Sequence, residues 1–174
     1  VLIKKIKWIA LLVSFVSIAS SAAENAAENV PLDPTSEQLC LEQLQFVRIS
    51  IQNWIIFGGA TKLALPKAIP LNDYQSKMRA EINEAQLSCR DLPRQREGKE
   101  QICESYIDPQ GTPQIVCDSH PFMAGAGSVQ HLWVHHQYAA LSGLEVDDGS
   151  GAQFEISNQI EKIVGDRDFL PFDR

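Results

Sequence analysis

SEQLCLEQLQFVRISIQNWIIF, residues Ser36 to Phe57, is the stretch that decides the fold class. Leu39, Cys40, Leu41, Leu44, Val47, Ile51, Trp54 and Ile55 recur at helical spacing, which predicts a long helix. Pro34 suits a first helical turn, and Asp33 or Thr35 can accept the free amide hydrogens of a helix start. Gly58-Gly59 ends the pattern. Phe46, Ile49, Ile56 and Phe57 widen the apolar surface well past one face, so this helix is expected to lie centrally in the fold.

Moving towards the C-terminus, 60–71 contains Pro66 and Pro70 and reads as an extended connection. Asn72 or Asp73 then caps a second helix reaching about Arg90, with Tyr74, Met78, Ile82, Ala85 and Cys89 on a narrow stripe. Two consecutive helices pack antiparallel, which brings Cys40 near the start of the first to Cys89 near the end of the second. The charged segment from Arg90 to Gly98 is expected to be a loop. Residues 101–107 and 113–117 flank Asp108-Pro109-Gln110-Gly111, a β-turn signature, so a short hairpin is expected to set Cys103 near Cys117. Of the three connectivities open to four cysteines, Cys40 with Cys89 and Cys103 with Cys117 is the one these elements favour.

A third helix is expected from Ser128 to Gly143 and a fourth over about 152–164, with Phe154, Ile156, Ile160, Ile163 and Val164 inward. The tail after Gly165, with Phe169, Leu170 and Phe172, is too apolar for a free end and is expected to pack back on the body or, as the lesser alternative, to dock on a partner. The expected fold is mainly α: a disulfide-stapled bundle of about four helices with one short β-hairpin.

Towards the N-terminus, Lys4, Lys5 and Lys7 precede an apolar run that fades into Ser20-Ser21-Ala22-Ala23. That is the layout of a signal peptide over 1–23, too short and serine-interrupted for a membrane span. A flexible leader follows over 24–34, then a single globular domain over 35–174. Export to an oxidising compartment makes the cysteines structural, and the expected location is periplasmic or secreted, with no stable membrane anchor after cleavage. The chain has 15 Lys+Arg against 22 Asp+Glu, a formal charge of −7. Loss of the three leader lysines takes this to about −10, which argues against nucleic acid and anionic lipid as partners; an acidic surface would suit a basic protein, but keeping an exported protein soluble is the stronger reading of the charge.

Local chemistry concentrates in Gln130-His131-Leu132-Trp133-Val134-His135-His136. On a helix His131 and His135 lie one turn apart, a spacing at which two imidazoles share a metal, with His136 adjacent. No glutamate completes a His-Glu-x-x-His hydrolase motif, and the helix offers no carboxylate to orient an imidazole. A packing role near Trp133 and Tyr138 is therefore the stronger expectation. A calcium loop ending at Glu155 fails because Leu144 and Val146 occupy ligand positions. Cys40 as a hydrolase nucleophile would strand one of the other cysteines. Phosphate-binding glycine loops, Gly-x-Ser-x-Gly elbows and Cys-x-x-Cys pairs are missing from the sequence.

These readings lead to an exported, non-enzymatic protein-binding protein that needs no cofactor. An inhibitor or immunity protein against a secreted toxin or wall-degrading enzyme fits the description. A metal-binding protein centred on His131, His135 and His136, or a structural envelope component, is the alternative. Oligomeric state is not legible at this stage.

Overall fold

The computed structural model describes residues 35–91, 102–145 and 154–165. The expected signal peptide and leader, most of the loop after Arg90, the first residues of the expected fourth helix and the apolar tail beyond Gly165 lie outside the described residues. Helix α1 (Ser36–Ile56) opens on a capping box. The Thr35 hydroxyl accepts from the Gln38 amide at 3.2 Å, and the Gln38 side chain accepts from the Thr35 amide at 2.8 Å. Phe57 closes the helix, and a short 3-10 turn over Gly59–Lys62 follows.

Helix α2 (Leu71–Glu84) buries Tyr74, Met78 and Ile82. It stops short of the expected end. Ala85 turns extended and the chain enters strand β1 (Gln86–Arg90), so Cys89 reaches Cys40 from a strand and not from a helix. The stripe continued into Cys89 only by coincidence of spacing. A ladder partner won, because β1 pairs in parallel with β3 (Pro113–Asp118) from Gln86 against Gln114 to Arg90 against Asp118.

Strand β2 (Cys103–Ile107) pairs antiparallel with β3 around a tight turn. The Gly111 amide donates to the Asp108 carbonyl at 2.9 Å, with Gly111 at φ +85°, where a side chain would strain the backbone. Asp108 Oδ1 accepts from the amides of Gln110 and Thr112 at 2.9 and 2.8 Å. The hairpin is thus part of a mixed three-stranded sheet, ordered β1-β3-β2. Cys103 and Cys117 face each other directly with Cα atoms 4.1 Å apart. The Asp118 amide donates to the Ile102 carbonyl beside them at 2.8 Å, which marks a narrow, non-hydrogen-bonded pair. Cys89 pairs with Cys117 on the same rung, so the Cys40–Cys89 and Cys103–Cys117 bridges lie side by side.

A six-residue helix, α3 (Ser119–Ala124), follows β3 directly and was not anticipated. Helix α4 (Gly127–Leu141) then crosses the molecule and meets α5 (Ser157–Gly165), α1, α2 and β2. It buries Gln130, His131, Leu132, Val134, His135, His136, Gln137, Tyr138 and Ala139. The central helix is therefore α4, not α1. Helix α1 buries Cys40, Leu44, Val47, Ile51, Trp54 and Ile55 against β1, α2, α3 and α4, while its far side stays open. The molecule is mainly helical, with five α-helices among the described residues, a small three-stranded sheet and two disulfides. Its helices pack on the sheet as well as on one another.

Candidate functional site

Three residues past α4 the chain doubles back. The Gly143 amide donates to the Ala140 carbonyl at 3.0 Å and the Leu144 amide to the Ala139 carbonyl at 2.8 Å. This is a Schellman cap, and Gly143 at φ +67° takes the left-handed position it requires. The reversal returns Glu145 beneath His136, with 2% of its side chain exposed.

Glu145 collects four donors. Its Oε1 accepts from the amides of Ile156 and Ser157 at 2.8 and 2.9 Å, the open N-terminus of α5. Its Oε2 accepts from His136 Nδ1 at 2.9 Å and from the Ser157 hydroxyl at 2.5 Å. Burial alone would raise the carboxyl's pKa. The bonds from His136 and Ser157 outweigh it and hold the group below the usual carboxylate value.

The chain of bonds continues inward and sets the proton positions. Because the Ser157 hydroxyl donates to Glu145, it accepts from His135 Nδ1 at 2.7 Å, which places the imidazole proton on Nδ1. His135 Nε2 then accepts from the Tyr74 hydroxyl at 2.6 Å. Burial lowers the His135 pKa to about 4, against an opposing pull from Glu145. Burial, helped by the Glu145 charge, pushes the Tyr74 hydroxyl far above its ordinary range. Tyr74, His135 and Ser157 are all fully buried.

This set contains serine, histidine and glutamate, but it does not have the bond directions of a nucleophilic triad. The basic nitrogen of His135 is occupied by Tyr74, and the serine proton faces the carboxylate instead of the imidazole. No substrate atom can reach a hydroxyl with 0% exposure without opening the fold. What the arrangement does is join α2, α4 and α5 through one polarised line of bonds ending on a buried charge.

The three histidines of the sequence motif turn to different neighbours. His131 Nδ1 donates to the Gly127 carbonyl at 2.7 Å, His135 joins Tyr74 and Ser157, and His136 joins Glu145 with its ring centroid 3.5 Å from that of Phe154. Among the described residues no group of three or more His, Cys, Asp or Glu side chains is placed to hold a metal ion. Sequence reasoning missed Glu145, Ser157 and Tyr74. The helix itself carries no carboxylate, as its sequence reads; the one that orients His136 comes from beyond the helix end, nine residues after it. A Gly two residues before a lone Glu was the available signal.

The second notable feature is the outer side of α1. Leu39 is 42% exposed, Phe46 52%, Ile49 49%, Ile56 50%, and Phe57 beside the helix end 66%. They follow a single stripe opposite the core face. Isolated exposed apolar residues are ordinary; here five large ones share one side of a single helix.

The two disulfides suit an oxidising compartment. Among the described residues no helix is long and apolar enough to cross a membrane. Comparison with protein-family models, with curated proteins and with solved structures returns no match, so the site itself has to supply the functional reading.

Proposed function

We propose that this protein is a non-enzymatic, exported protein-binding protein of the periplasm or the extracellular space. Its contact surface in this reading is the outer side of α1. The observation that supports it is the stripe of Leu39, Phe46, Ile49, Ile56 and Phe57, which the fold leaves in water although the opposite side of the helix is fully used by the core. Leaving roughly half of each such side chain wet forgoes a stabilisation of about 1 kcal/mol per residue, which association recovers. The buried Tyr74–His135–Ser157–Glu145 line is structural in this reading, since it ties three helices together and opens to no substrate. An inhibitor or immunity role is a narrower version that rests on the acidic sequence.

Affinity capture from the native envelope or secreted fraction tests the proposal, comparing the mature oxidised protein with the Phe46→Glu/Ile49→Glu double variant. Bound protein that disappears with the variant is the expected outcome. Equal capture by both would place binding elsewhere on the molecule and reject α1 as its surface.

A further inference from the structure

The outer stripe of α1 has an internal symmetry. Including its two polar members, it runs Leu39, Glu42, Phe46, Ile49, Asn53, Ile56, with alternating steps of three and four, the spacing of a coiled-coil seam. Glu42 is exposed and Asn53 half-buried, on the same side as the apolar residues. The seam is also palindromic about the bond between Val47 and Arg48. Leu39 and Ile56 are equidistant from that point, as are Glu42 and Asn53, and Phe46 and Ile49.

We infer that the partner this face fits is a second copy of the same chain, packed antiparallel along α1. The inference rests on the reading of α1 as a contact surface and names its occupant. In a two-fold antiparallel helix pair residue i meets residue j of the partner and j meets i, so positions equidistant from the centre face one another and each such pair has to be compatible. Here Phe46 meets Ile49 of the partner subunit at the centre, and Leu39 meets Ile56 of the partner subunit at the ends. Between them Glu42 meets Asn53 of the partner subunit, a carboxylate acceptor opposite an amide donor. A parallel pair would stack Glu42 on the partner's Glu42, placing like charges at a buried position. The charges therefore select the orientation that the palindrome allows. The seam covers about 26 Å of helix, at the small end of interfaces, so association is weak and concentration-dependent.

Sedimentation equilibrium of the mature, oxidised protein from low micromolar to near-millimolar concentration tests this, with one variant at exposed Phe46 and one at half-buried Asn53. Wild type is expected to pass from monomer to dimer, and Phe46→Glu to remain monomeric. Asn53→Lys is expected to tighten the dimer several-fold, because it sets an ammonium against the partner's Glu42 in the antiparallel pair. A dimer that survives Phe46→Glu, or is weakened by Asn53→Lys, overturns the proposed pairing. A protein monomeric at all concentrations overturns it too, and the capture experiment then separates the two ideas. If Phe46→Glu/Ile49→Glu still abolishes capture of another protein, only self-association fails. If capture is unchanged, the α1 surface fails with it.

Discussion

Glu145 supplies the cap that α5 lacks at its own N-terminus. A carboxylate with four donors is stable in a buried place only while it is charged, and His135 is stable there only while neutral. Both conditions fail in acid, in an order the shifts define. Unfolded histidine takes its proton near pH 6.5, whereas folded His135 resists until about 4. Between those values the unfolded chain binds more protons, so stability falls as pH falls, by about 3 kcal/mol for this group. His131, lowered by burial against the opposing bond to the Gly127 carbonyl, acts in the same direction. Glu145, lying below its ordinary 4.5, extends the loss beneath that value. Urea midpoints measured from pH 7.5 to about 4 should decline steadily below about pH 6.5. His135→Gln should flatten part of that decline while costing stability at neutral pH, and a wild-type curve level down to pH 4.5 would contradict the buried neutral imidazole. Apart from Gly143 ahead of Glu145, little of this is legible at the residue level, because Tyr74, Ser157 and Glu145 lie 61, 22 and 9–12 residues from the groups they bind.

At the level of elements, local signals served where one element could be recognised alone. The capping box, the apolar period of α1 and the Asp108–Gly111 turn are written in neighbouring residues, and they form where their neighbours direct. β1 was illegible for the opposite reason. Its pairing with β3 is long-range, and its residues extend the helical stripe of α2 by accident. α3 is too short to show a period. The cysteines join the pairs read from the sequence, although by a different route, since Cys89 stands on the sheet beside Cys117. The bridges close spans of 49 and 14 residues. Loop entropy then predicts that Cys40→Ala/Cys89→Ala costs about 4 kcal/mol and Cys103→Ala/Cys117→Ala about 3 kcal/mol. Urea unfolding of the two double variants checks both magnitudes, and an unchanged midpoint in either would mean that bridge restrains nothing in the unfolded chain.

For the whole molecule, α1 sits at the edge of the fold with an apolar surface on each side. The mainly helical class was legible from its amphipathic repeats, but the excess apolar residues of α1 were assigned to the interior. A single sequence cannot separate a helix surrounded by its own fold from one that keeps a face for a partner, because both read as apolar on several sides. The separation came from α4, whose mixed polar and apolar residues occupy the centre through internal hydrogen bonds. The most direct test of α1 as the contact surface is photo-crosslinking in the native compartment, with a photoreactive residue replacing Ile49 and, as a control, Lys77 on the exposed side of α2. The account predicts a discrete protein adduct at position 49, whether a second copy or another protein, and none at 77. Adducts at 77 with none at 49 would contradict it.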